Sequence, residues 1–223
     1  MINALAGQIE GRDAATFRMR VAQLDAAAAT LKLARSEDSQ AVASLQWLRA
    51  LRDVLKSIPI ERATGPHEQW LKTHDELVVY SEPSGEWLIR NDVIGDIHAK
   101  YATRPAADDI AWLAAVNGLP GECEGYVPCY ASILNTLDGE YLRQHPRGAH
   151  RTEAFDRLNE MLRIVVDDLL RRPKREEFLA VPTDCGDLLA SLQPLRAAVT
   201  AANGAKTETM GLIDRLMAYC PRP

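Results

Sequence analysis

Long apolar runs are what this chain of 223 residues most plainly lacks, although 47% of it is hydrophobic. No stretch approaches the roughly 20 consecutive apolar residues that carry a helix across a bilayer, so no membrane span is expected. The first residues, MINALAGQIEGRD, have neither the basic start nor the apolar block of a secretory leader. For an exported protein this start means that the leader has been removed; for a cytoplasmic one it is an ordinary polar lead-in.

Positive charge is also scarce. Lys and Arg number 26 against 31 Asp and Glu, a net charge of -5. Phosphate affinity comes mainly from clustered Lys and Arg, so nucleic acid is not an expected partner. The one basic cluster, RRPKRE at 171 to 176, runs into further acid at Glu177 and reads as a solvated helix end. Strict two-residue alternation is missing over any long stretch, which argues against a sheet protein. There is no phosphate loop, nucleophile elbow, His-Glu-x-x-His or dinucleotide fingerprint.

What the chain does have is helical periodicity almost throughout. Phe17, Val21, Leu24, Ala28 and Leu31 alternate steps of four and three and so share one helix face. Ser36 followed by Glu37 and Asp38 reads as a stop, an N-cap and an acidic first turn. The next helix carries Ala41, Leu45, Leu48 and Leu55 on one stripe and Trp47, Leu51 and Val54 on another, which predicts burial on two sides. Pro66 suits the first helical position of HEQWLKTHDELVVY. SEPSG then makes a turn before EWLIRNDVIGDIHAKY, where Trp87, Ile94, Ile97 and Tyr101 again fall at helical spacing. Helix is the reading taken there; the alternative is a small β-hairpin of LVVY and EWLI, rich in strand formers. AADDIAWLAAVN, the stripe Tyr130, Ile133, Leu134, Leu137, Tyr141, and the stripe Phe155, Leu158, Leu162, Val165, Leu169 complete the middle of the chain. The last stripe is closed by Pro173.

The four cysteines carry the most geometry. Asn203 and Gly204 separate two helical patterns, Leu188, Leu192, Leu195, Val199 and Ile213, Leu216, Met217, and Asn-Gly is a good helix stop. If the chain doubles back there, Cys185 and Cys220, almost equally far from the bend, meet at the open end. Cys123 and Cys129 in GECEGYVPCY are then the second pair, closing a tight loop over Pro128. Two sensible pairs indicate an oxidising compartment. The alternatives are four reduced thiols in a cytoplasmic core and a zinc site, for which the spacing is too wide. Glu122 and Glu124 beside Cys123 would raise a thiol pKa, the wrong direction for a nucleophile.

Other chemistry is sparse. His67 and His74 share a helix face without a metal-ligand spacing and read as surface residues, as do His145 and His150 around the HPRG turn. A looser set, His98 with Asp108, Asp109, Glu122 and Glu124, would suit general acid and base work if consecutive helices brought it together. Helix capping accounts for Asp108 and Asp109 without chemistry.

Residues 139 to 162, GEYLRQHPRGAHRTEAFDRLNEML, resemble the tetratricopeptide-like helical hairpins of bacterial cell-envelope proteins, with Tyr141, Leu142, Pro146, Gly148, Glu153, Ala154 and Leu158 at matching positions. The match covers about a tenth of the chain and no second copy recurs at a fixed period. It implies a helix, a tight turn and a second helix, in proteins that present a helical surface to partners and perform no catalysis.

The combined expectation is an all-α fold, an irregular bundle of antiparallel helical hairpins in a single domain over 1–223, with the small β-hairpin near 77–89 as the variant. The expected role is an exported or envelope-associated bacterial domain, periplasmic or extracellular, that binds a protein or small ligand in an inter-helix groove. Such a groove should be a concave apolar patch with a polar rim, with Trp70, Trp87, Trp112 and several tyrosines as candidates to line it if they are not core. The rivals are a hydrolase using His98 with the four acids, a purely structural module, and a cytoplasmic location. No cofactor or metal is expected.

Overall fold

The computed structural model describes residues 2–59, 65–171, 182–202 and 207–220, with 2–13, 168, 170, 171 and 182–184 described by backbone alone. The fold is all-α with one two-stranded antiparallel sheet. The chain divides into two compact units, Met1–Glu122 and Cys123–Pro223.

The first unit is built on a helical hairpin of α1 (Ile2–Leu33) and α2 (Glu37–Lys56). Its bend is fixed by Ser36, whose hydroxyl accepts from the Ser39 amide at 3.2 Å while the Ser39 hydroxyl accepts from the Ser36 amide at 3.1 Å. This reciprocal cap satisfies two amides that a helix start otherwise leaves open. Both predicted stripes of α2 are in the interior: Ala41, Leu45, Leu48 and Leu55 are buried, as are Leu51 and Val54, and Trp47 packs against the same core. Phe17 and Leu24 of α1 complete that face.

After α3 (Pro66–Lys72) the structure corrects the helical reading. Val78–Ser81 and Glu86–Ile89 are strands β1 and β2, paired antiparallel with Val78 opposite Ile89 and Tyr80 opposite Trp87. Tyr80 and Trp87 meet across the strands in a tilted ring contact with centroids 5.2 Å apart, and Val78 and Ile89 are both buried. The β-branched and aromatic side chains thus gain cross-strand partners that a helix would deny them. Gly85, at φ +65°, makes the turn.

Helices α4 (Asn91–Tyr101) and α5 (Ala107–Asn117) pack on each other. Buried Asn117 ties this pair to the hairpin, its amide nitrogen donating to the Ile89 carbonyl at 2.6 Å and to the Asn91 side chain at 2.9 Å. Arg104, in the turn after α4, pairs with Glu37 and, at 3.5 Å, with Asp38, while Arg49 pairs with Asp109 at 3.3 Å. These bonds hold α4 and α5 along α2.

The second unit contains α6 (Val127–Leu134), a π-helical turn (Asn135–Gly139), α7 (Glu140–Gln144), α8 (Arg151–Arg171), α9 (Pro182–Ala201) and α10 (Glu208–Met217). Helix α9 is central, packing against α6, the π turn, α7 and α10. Its stripe Leu188, Leu192, Leu195 and Val199 is wholly buried, as are Leu158 and Leu162 of α8. The π turn falls where the sequence shows only a stripe with a glycine in it. At Gly139 an added Cβ would lie 2.9 Å from Leu195, so the glycine is what lets α9 approach.

Cys123 and Cys129 are disulfide-bonded with Cα atoms 5.4 Å apart, and Cys185 and Cys220 with Cα atoms 5.6 Å apart. The second bridge clasps the start of α9 to the residues after α10, as the doubling-back argument requires. The Asn203-Gly204 bend itself, Pro173 and the cluster from 172 to 176 lie outside the described residues.

Candidate functional site

A groove of about 360 Å³ lies between α1, α2 and α4. Helix α2 supplies Gln40, Ser44 and Trp47, spaced four and three apart and therefore on one face. Helix α4 supplies Ile97, Lys100 and Tyr101, and α1 supplies Leu31. Ser44 is 3% exposed and Tyr101 4%, while Leu31, Trp47 and Ile97 are half-buried and Lys100 is exposed. The hollow has a simple local origin: the buried positions of α2 near it carry small side chains, Ala41, Ala43 and Ser44, which leave space beside Trp47.

The polar groups are few. Gln40 donates its amide to the Ala34 carbonyl at 3.3 Å. The Lys100 ammonium lies 5.0 Å from the centre of the Tyr101 ring, a cation-π distance, and forms no ion pair among the described residues. The Ser44 hydroxyl likewise has no protein hydrogen bond among the described residues. Apolar and aromatic walls with a few polar groups are the usual make-up of a small-ligand site, and the volume is at the small end of the range for one.

Two shallower hollows lie in the same unit. One of about 520 Å³ follows the bend of the α1-α2 hairpin, where Leu33 is 70% exposed beside Val42; the other, of about 340 Å³, lies between Phe17 and Val21 of α1 and Trp70 of α3. Neither has walls from three helices.

The tryptophans fall differently from the sequence reading. Trp70 is core, in edge contact with Phe17 at 6.2 Å, although it also borders the α1-α3 hollow. Trp87 belongs to the β-hairpin and Trp112 is half-buried on α5. The groove tryptophan is Trp47, which the stripe of α2 had assigned to the core. The signal available in the sequence was Ser44, a small polar residue among the apolar positions of α2.

The histidine and acid set lies on α4, in the first turn of α5 and in the cysteine corner. His98 is buried on α4, Asp108 and Asp109 are half-buried in the first turn of α5, and Asp109 pairs with Arg49. Glu122 and Glu124 are exposed in the cysteine corner, Glu124 at φ +46°. His67 corrects the surface reading: it is 7% exposed, its ring 4.4 Å from that of Phe17, and its Nε2 has no hydrogen-bond partner among the described residues. Pro66 starts α3 in a phase that turns the next residue inward. His74 lies beyond the end of α3, stacked on Trp70 at 4.2 Å. His145 and His150 are half-buried on either side of buried Tyr141, whose hydroxyl accepts from the His150 amide at 3.0 Å.

One buried carboxylate escaped the sequence reading. Asp138, in the π turn, has a side chain 3% exposed that receives the Arg157 guanidinium at 2.9 Å. Burial pushes its carboxyl above the usual carboxylate range, against the attraction of Arg157. On the surface the reverse holds: the hydrogen bonds from Arg90 and Arg163 hold Asp92 and Glu208 below that range.

Among the described residues no group of three or more His, Cys, Asp or Glu side chains is arranged to hold a metal ion. No described helix is long and apolar enough to cross a membrane. The two bonded cysteine pairs are what an oxidising compartment maintains and a reducing cytosol does not. The chain matches no known family model, curated protein or solved structure.

Proposed function

We propose that this chain is an exported helical domain, periplasmic or extracellular, that binds a small, largely apolar ligand in the groove between α1, α2 and α4. The observation that carries the reading is the groove itself: aromatic and aliphatic walls from three helices, a buried serine, and a polar rim. The disulfides support the compartment. No reaction is assigned to the groove, whose lining includes none of His98, Asp108, Asp109, Glu122 and Glu124.

The helix, turn and helix over Glu140–Arg171, with Tyr141, Leu142, Ala154 and Leu158 all buried, support the tetratricopeptide-like reading of residues 139 to 162. In that stretch α7 packs against α9 and α8 against α10.

The test is a titration of the isotope-labelled protein with the neutral probe N-phenyl-1-naphthylamine, followed by amide chemical shifts. Saturable shifts at Ser44, Trp47, Ile97 and Tyr101 are expected. Absence of binding, or shifts clustered elsewhere, would refute the groove.

A further inference from the structure

We infer that the groove's ligand is an amphipathic monocarboxylate, its apolar body between Trp47, Ile97 and Tyr101 and its charged end at Lys100. This rests on the reading of the groove as a ligand site and adds the chemical class of what it takes.

Charge is the first argument. The groove is lined by a single charged side chain, Lys100, and by no carboxylate, in a chain whose net charge is -5. Local polarity is therefore opposite to that of the molecule. A cationic ligand would be repelled at the groove and would find better sites elsewhere on the surface.

Unused bonding capacity is the second. Of the described lysines, Lys72 is committed to an ion pair, with Glu68 at 2.6 Å, as Lys32, Lys56 and Lys100 are not. Lys100 instead lies against the Tyr101 ring, with its three donors available among the described residues. The Ser44 hydroxyl offers a further donor, whereas the Gln40 amide is already engaged. Free donors on an apolar wall call for an acceptor on the ligand, and one cation matches one negative charge. A dianionic phosphate is bound by several cations or by paired guanidinium forks, which this groove does not offer.

The apolar part is the third. Trp47, Ile97, Leu31 and Tyr101 give walls without hydrogen-bonding groups, apart from the polar ends of the two aromatic rings, so the ligand's body is hydrocarbon rather than sugar. At about 360 Å³ the space suits one short chain or ring system and excludes a folded partner.

The experiment compares decanoate, decanol and decylamine, below their aggregation concentrations, by calorimetry and amide shifts on the full chain and on Lys100→Gln. Lys100 is exposed, so the variant folds, which circular dichroism checks. Decanoate is expected to bind about five- to tenfold more tightly than decanol, as one charge-assisted contact at a partly exposed site provides. Lys100→Gln should bring decanoate down to decanol and leave decanol unchanged, and added salt should narrow the difference in the wild type. Equal binding of decanoate and decanol at the groove, preference for decylamine, or a preference that survives Lys100→Gln would overturn the carboxylate assignment while the groove stands. If none of the three shifts groove residues, the assignment and the groove reading fall together.

Discussion

Asp138 shows how one residue sets a pH dependence. Its carboxyl is raised mainly by burial, with Arg157 opposing, so the folded state holds the proton to higher pH than the unfolded chain does. A raised folded-state pKa gives a contribution that is fully present below the unfolded value and is lost as pH rises through the folded one. The melting temperature of the wild type relative to Asp138→Asn should therefore fall as pH rises from about 4 to 7. The opposite slope in paired thermal melts would mean that the attraction of Arg157 outweighs burial. Asp92 and Glu208, held low by their arginines, lose their contribution as pH falls, and the paired comparison cancels them. Neither Asp138 nor His67 was legible in the sequence. A polar residue announces burial only through what packs against it, and Arg157 and Phe17 come from distant segments.

At the scale of elements, legibility followed length. Helix α2 and helix α8 repeat their apolar period over several turns, and the structure buries the stripes the sequence drew except Trp47 and Phe155, which are half-buried. Strands β1 and β2 have four residues each, too few to separate a period of two from one of 3.6. Composition and the Pro-Ser-Gly turn were the better guides there. Because Gly85 sits at φ +65°, Gly85→Ala should destabilise the first unit by about 1 kcal/mol, whereas Ser84→Ala should be near neutral. Urea unfolding followed by tryptophan emission measures both, and equal midpoints for the two variants would remove the claim that the turn requires glycine. The π turn was not readable at all, since it follows from Asp138 turning in toward Arg157 and α9 closing on Gly139. None of Trp70, Trp87 and Trp112, the tryptophans expected to line a groove, lines the one between α1, α2 and α4; Trp47 does, and its stripe reads as core because periodicity finds a buried side and not a gap in it.

Over the whole molecule, the disulfide pairing was the most legible long-range feature, because counting from a bend gives distance without knowing the packing. The chain-entropy model assigns roughly 2 kcal/mol to the six-residue separation of Cys123 and Cys129 and nearly 4 kcal/mol to the 35-residue separation of Cys185 and Cys220. Replacing the second pair with serine should accordingly lower the urea midpoint, read by circular dichroism, more than replacing the first. The reverse order would mean that loop length does not govern these bridges. Thiol counting by mass spectrometry on unreduced protein checks the compartment, and four free thiols after oxidising purification would contradict it.

Both bridges lie in Cys123–Pro223, while all four tryptophans, at 47, 70, 87 and 112, lie in Met1–Glu122. Each half of the chain thus carries its own reporter: indole emission follows one and redox reagents act on the other. Dithiothreitol should leave the emission transition in place while ellipticity is lost earlier, so a single protein sample resolves the two halves without cutting the chain.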